Sequence, residues 1–337
     1  MAAADALSDV LNTIRLTGGT FFHVEAKAPW VAEQPGPELI LPKLLPGAEH
    51  MIAYHVVTEG RCFARVIGGT PIAVEAGEVI VFTRGEPHVM SSDPWMRGDP
   101  FASSVIDAAA RGQLPFFINF GDDGPISAKL ICGFLAFDAN PFNPLLQNLP
   151  PVIKSANPRD GTASWLGQLI KLAMMEVENK RAGGESVLAK FSELMFIEVV
   201  RQYVDGLSPG QTGWLAGLRD PFVGKALSVL HQSPAHSWTI EELANEIGLS
   251  RSRLADRFTT YVGMPPMQYL ARWRMQLASG LLRDDSFDLE TVATEIGYGS
   301  EEAFSRAFKK MVGMSPSEWR RRTALFPLLF STWFFFA

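Results

Sequence analysis

The sequence predicts a multidomain α+β chain: an antiparallel β-barrel followed by helices, then an all-α C-terminal domain with two helix-turn-helix motifs joined by a linker helix. Three observations predict it. Between Phe21 and Asp138, short runs of β-branched and aromatic residues are separated by Gly, Pro and Asp turns. Between Trp165 and Tyr203 the apolar residues recur at helical spacing. From Thr239 to Trp319 one unit is written twice. A length of 337 residues suits two domains, or three at most.

Taken in order, Leu7, Val10, Leu11 and Ile14 mark a short amphipathic helix ahead of a Gly18-Gly19 break. The strands read FFHVEA, HMIAYHVV, RCFARVI, PIAVEA, EVIVFT, FFINF and LICGFLAF, and their regular turns predict a closed barrel or jelly roll. Pro141 to Asp160 is a connection rich in Pro and Asn. Two amphipathic helices follow, marked by Trp165, Leu166, Leu169, Leu172 and Ala173, then by Leu188, Phe191, Leu194, Met195, Val199 and Tyr203. Their broad apolar faces suit either packing within the chain or pairing with a second copy, and a homodimer is expected. DGLSPGQTG, from Asp205 to Gly213, has the composition of a flexible linker. The boundaries expected are 1–160 for the barrel, 161–205 for the helical segment and 206–219 for the linker. Residues 220–325 form the helix-turn-helix domain and 326–337 an apolar tail.

Within the repeat, Ala244, Glu246, Ile247 and Gly248 recur 49 positions later as Ala293, Glu295, Ile296 and Gly297. After a one-residue insertion, Phe258, Val262, Gly263, Met264 and Pro266 recur as Phe308, Val312, Gly313, Met314 and Pro316. In the first copy Thr239 and Glu242 have capping-box spacing, and Gly248 suits the left-handed position that closes a helix. Ser250 then caps a second helix whose inner stripe is Leu254, Phe258 and Val262 and whose outer face carries Arg251, Ser252, Arg253, Asp256 and Arg257. In the second copy Ser300 is the cap, Ala303, Phe304, Ala307 and Phe308 face inward, and Glu302, Ser305, Arg306, Lys309 and Lys310 face outward. Pro265 to Asp284 reads as the linker helix. In a helix-turn-helix the second helix enters the major groove of double-stranded DNA, and two readers held on one DNA face need grooves about 34–36 Å apart.

These residues resemble the DNA-binding domain of AraC-family transcription regulators, through SRSRLADRF with VGMPPMQYL, the linker RWRMQLASGLL, and IGYGSEEAFSRAFKKMVGMSP. The resemblance implies that base-reading side chains stand at Ser252, Ala255 and Asp256 in the first helix and at Glu302 and Arg306 in the second. The first set is small or acidic, so direct reading rests mainly on Arg306, a candidate bidentate guanine contact, with Arg253 and Arg257 on phosphate. The resemblance further implies promoter or operator DNA and RNA polymerase as partners.

The barrel resembles the cupins. Gly77, Gly85 and His88 fall on the register of the second cupin motif, with Thr83 where proline is usual, and His55, Val57, Cys62 and Gly69 occupy the places of the first. Two metal positions keep histidine, one is Cys and one Val. Two readings stay open. His55, Cys62 and His88, closed by Cys132, would compose a structural Zn2+ shell. Otherwise the cysteines are small core residues and the histidines are hydrogen-bonded barrel interior. Phe63, Phe82 and Phe134 are candidates to line a pocket for a small-molecule effector.

Composition bounds the rest. Residues 220–325 hold 13 of the 30 Lys and Arg and 13 of the 36 Asp and Glu, so the whole net charge of −6 lies outside them and a general polyanion binder is excluded. Two cysteines make no disulfide framework, and no signal peptide precedes Leu7, so a cytoplasmic location without membrane attachment is expected. At 12 residues, the apolar tail is too short to span a bilayer. The function expected is a one-component, sequence-specific transcription regulator without enzymatic activity. The alternative is a cupin metalloenzyme fused to a DNA-binding domain that controls its own synthesis.

Overall fold

Capping chemistry, turn glycines and two kinds of apolar periodicity set the elements of the computed structural model, which describes residues 5–14, 16–45, 48–99, 116–137, 141–155, 165–179 and 181–324. The apolar tail at 326–337 lies outside the described residues. The strands are β1 (Thr17–Lys27), β2 (Val31–Gln34), β3 (His50–Val66), β4 (Ile72–Glu75), β5 (Val79–Phe82), β6 (His88–Ser91), β7 (Phe116–Phe120), β8 (Ile126–Phe137) and β9 (Val152–Lys154). The helices of the first two thirds are α1 (Ala6–Thr13), α2 (Pro37–Leu44), α3 (Pro144–Asn148), α4 (Trp165–Asn179) and α5 (Gly184–Asp205). Then come α6 (Trp214–Arg219), α7 (Pro221–Gln232), α8 (Ile240–Ile247), α9 (Arg251–Val262), α10 (Pro266–Leu281), α11 (Leu289–Glu295), α12 (Glu301–Val312) and α13 (Pro316–Ala324). No helix among the described residues is long and apolar enough to cross a membrane.

The chain divides into two compact units. One holds Leu16–Ala139 and Leu149–Gly206. Its sheet runs β2-β6-β3-β8-β1-β7, with β4, β5 and β9 off this path. The strand pairs are antiparallel except β1 with β7. β3 is continuous where the sequence suggests two strands: its first half pairs with β5 and β8, its second with β4 and β6. Gly60 sits at the change of partner with φ +72°, and a Cβ there would collide with the Ser127 carbonyl, so only glycine fits. Residues facing inward, among them Met51, Ala53, Val57, Cys62, Ile80, Phe82 and Leu130, form the core. Each large apolar side chain buried there stabilises the fold by about 1.5–3 kcal/mol before entropy is counted. On the other face α5 packs across β1, β8 and β9, and Tyr54 Oη meets Ser192 Oγ at 2.6 Å.

The other unit gathers, among the described residues, 5–14, 141–148 and 207–324, with α1 packed on α3, α7 and α10 and α3 packed on α1 and α6. A buried polar chain shows why. Trp214 Nε1 donates to Tyr269 Oη at 3.0 Å, Tyr269 Oη lies 2.8 Å from His231 Nε2, and His231 Nδ1 lies 3.5 Å from Asp9 of α1. His231 also stacks on Trp273 with ring centroids 4.0 Å apart. Burial lowers the His231 pKa, against the opposing pull of Asp9.

Candidate nucleic-acid interface and barrel cavity

Each repeat copy is built by the same local devices. Thr239 Oγ1 accepts from Glu242 N at 3.1 Å and Ser250 Oγ from Arg253 N at 3.4 Å, while Gly248 and Gly263 close α8 and α9 with φ +81° and +77°. The Glu242 carboxylate reaches His236 Nε2 at 2.7 Å, a hydrogen-bonding partner outside the capping box read from the sequence. In the second copy Asp288 Oδ1 accepts from Thr291 N at 2.7 Å, Ser300 Oγ accepts from Ala303 N at 3.2 Å, and Gly313 closes α12 with φ +88°. Leu254 and Phe258 are fully buried in α9, as are Phe304 and Phe308 in α12. The linker helix α10 buries Tyr269, Leu270, Trp273, Met275 and Ala278.

The outer faces differ. On α9, Arg251 pairs with Glu241 at 2.8 Å, and Ser252, Arg253 and Asp256 are exposed. Arg257, expected on phosphate, forks onto both carboxylate oxygens of Asp220, whose side chain is only 3% exposed. Asp220 in turn caps α7 by accepting from Phe222 N and Val223 N. Burial raises the Asp220 pKa, but the Arg257 guanidinium and the two backbone donors outweigh it and hold the carboxyl below its ordinary value. The planar guanidinium also lies over the Phe222 ring at 5.3 Å. Arg257 therefore fastens the first reader to α7. On α12, Glu302, Arg306, Lys309 and Lys310 are exposed and Ser305 is half-buried. Among the described residues, Arg306 and Lys309 form no ion pair, which leaves their charge available to an anion outside the chain.

The curled sheet encloses a cavity lined by apolar side chains from β1, β2, β7 and β8 and by Ile40 and Leu44 of α2. Of the aromatic residues suggested by the sequence, Phe134 lines it; Phe82 is buried and stacked on His88 at 3.7 Å, and Phe63 is half-buried outside the lining. The polar groups on the wall are Gln34, His55, His88 and Cys132. His55 Nε2 and His88 Nε2 are 2.7 Å apart, and His88 Nδ1 lies 2.7 Å from the Glu86 carbonyl. Burial pushes the His88 pKa down to about 4, and burial with the neighbouring His88 pushes His55 well below its ordinary value, so both rings are neutral at pH 7. Cys132 lies directly opposite His55 across the β3–β8 ladder.

The zinc shell that the cupin resemblance suggested is not assembled among the described residues. Among the described residues no group of three or more His, Cys, Asp or Glu is placed to hold a metal ion. His55 and His88 spend their Nε2 atoms on each other. Cys62 is 1% exposed in the packed core, where burial raises its thiol to about 12. Burial also raises Cys132. The Thr83 departure from the cupin motif has a reason: its N–H donates to the Pro151 carbonyl and its hydroxyl to that of Pro150, and proline can supply neither bond. Sequence reasoning missed Gln34 altogether. β2 is four residues long and carries no motif, so only its pairing with β6, Gln34 opposite His88, brings the amide to the cavity.

Comparison with known proteins completes the site. The family described as Cupin matches residues 5–205, and the family described as a helix-turn-helix domain matches residues 243–322. An AraC-like transcription regulator of Streptomyces antibioticus is 33% identical over 94% of this chain and 98% of its own length. One from Streptomyces lividans is 31% identical over 95% and 99%, respectively. The HTH-type transcriptional regulator AlkR of Acinetobacter baylyi is 26% identical over 95% of this chain and all of its own.

Proposed function

Given that this chain belongs to the AraC-like transcription regulators, with a Cupin N-terminal domain and a DNA-binding helix-turn-helix domain, we propose that it is a one-component switch whose barrel binds a small-molecule effector and whose two readers recognise an operator. The observation that carries this reading is the pair of capped helices α9 and α12, each with a buried aromatic stripe inside and exposed cations outside. Arg306 reads a guanine on this account, Ser252, Asp256 and Glu302 lie near base edges, and Arg251, Arg253, Ser300, Ser305 and Lys309 lie along the backbone. Arg257 acts through Asp220 as a positioning residue. The protein works as a homodimer. Trp165, Leu172 and Met175 of α4 and Val187 and Leu194 of α5 are large exposed apolar side chains that suit a second copy. It acts in the cytoplasm beside RNA polymerase and is not an enzyme, in keeping with relatives named as transcription regulators.

Selection from a random DNA library with the purified full-length protein at near-physiological salt tests the reading. The expected result is a motif of two elements about one helical turn apart. Recovery of no motif, or of DNA without sequence preference, overturns it.

A further inference from the structure

The barrel cavity presents one unsatisfied acceptor and one unsatisfied donor in an otherwise apolar wall. Proton positions follow from the partners. His88 Nδ1 faces a carbonyl, which only accepts, so that nitrogen carries the proton. In a neutral ring the Nε2 of His88 is then a bare lone pair, and at 2.7 Å it must receive the N–H of His55 Nε2. This leaves His55 Nδ1 as a lone pair, and that atom is buried without a hydrogen-bond partner. Gln34 Nε2 is likewise buried without a partner, and it is a donor. Both side chains are 6% exposed and both line the cavity. His88 adjoins both: Gln34 stands opposite it in the β2–β6 ladder, and His55 Nε2 bonds its Nε2 directly. A buried polar atom left unpaired costs about 1–3 kcal/mol, so a ligand that satisfies both gains what the empty wall lacks.

We propose that this cavity takes a neutral, mainly apolar molecule bearing one hydroxyl group, which donates to His55 Nδ1 and accepts from Gln34 Nε2. The inference rests on the reading of the barrel as an effector site and names its ligand class. A hydroxyl supplies a proton and lone pairs from one atom. An ether or ketone has no proton for His55, an ammonium has no lone pair for Gln34, and a carboxylate has no proton at pH 7. No charged side chain lines the wall, so an ionised ligand would lose its water without a counter-charge. The rest of the molecule meets Phe22, Trp30, Ile118, Phe120 and Phe134, a lining that favours a flat hydrocarbon body.

Calorimetric titration of the full-length protein with 4-butylphenol, 4-butylanisole, butylbenzene and 4-butylbenzoate separates the alternatives. The phenol is expected to bind at least tenfold more tightly than the anisole or the hydrocarbon, and the benzoate least tightly. Gln34→Leu is expected to weaken the phenol and the anisole alike, because the oxygen of each accepts from Gln34, and to preserve most of the phenol's advantage over the anisole, which comes from its proton for His55. Histidine 15N spectra of the unmodified protein are an independent check that needs no variant to fold. They should show His88 protonated at Nδ1 and His55 at Nε2, with the His55 Nδ1 signal moving when phenol is added. Equal binding of phenol, anisole and hydrocarbon, or the opposite tautomers, overturns the hydroxyl assignment but leaves the barrel a ligand site. If none of the four probes binds, the effector reading falls with it.

Discussion

In the first copy of the repeat Ser250 caps the reader helix, Leu254 and Phe258 lie inside and Gly263 ends it; in the second Ser300, Phe304, Phe308 and Gly313 do the same. Outside, the copies part. α9 spends Arg257 on Asp220 and Arg251 on Glu241, whereas α12 leaves Arg306 and Lys309 outside any ion pair among the described residues. The inner positions are held alike because a helix-turn-helix has one way to pack, and the outer ones are released to different tasks. One reader is fastened to its neighbour through Arg257, and the other has no such tie among the described ion pairs.

The comparison can be broken most forcefully from inside. Phe258→Ala and Phe308→Ala should each destabilise the helical unit by about 3–5 kcal/mol in urea unfolding, and a much smaller loss in one copy would show that the two cores are not equivalent. Next, Arg257→Ala should cost roughly 1–3 kcal/mol of stability, because it leaves the buried Asp220 carboxylate without its cation. Arg306→Ala should leave the unfolding midpoint unchanged. On DNA the order reverses: Arg306→Ala should cost about 1–3 kcal/mol at one base position of the selected motif, read by competition binding. Equal weakening on every sequence would reassign Arg306 to phosphate.

A smaller effect comes from pH. The pKa of buried His231 is lowered in the fold, so the unfolded chain takes up a proton that the folded chain refuses, and the stabilisation from neutral His231 is present above about pH 6.5 and lost as pH falls below it. The stability difference between the wild type and His231→Gln should therefore shrink on acidification, no faster than about 1.4 kcal/mol per pH unit. A difference that does not change with pH would remove His231 as the titrating group. Smallest of all, Lys309→Ala should weaken binding evenly across sequences and reduce the salt slope by about one counterion.

Much of this was legible because the signals are local. A cap needs a Ser or Thr and the N–H three residues on, as with Ser250 and Arg253, and the turn after α8 needs only Gly248. The barrel was less legible. β2, β6 and β9 are three or four residues long and gain definition only from the strands beside them, and β3 reads as two strands until Gly60 is seen to carry one chain from one set of partners to another. The metal reading came from the resemblance to the cupin motifs, in which His55, Cys62 and His88 fall on metal positions. In the fold His55 and His88 meet each other, while Cys62 packs in the core.

By itself, then, the sequence determined the repeated reader, its caps, its inner stripes, the linker helix and the family, since each depends on residues within a few positions of one another. The tertiary structure decided which polar groups meet: His55 with His88 across 33 positions, Arg257 with Asp220 across 37, and Asp9 of α1 with His231. Those pairings follow strand register and helix docking, which are settled by burying apolar surface collectively. Spacing along the chain does not encode the direction in which a buried donor or lone pair is left pointing.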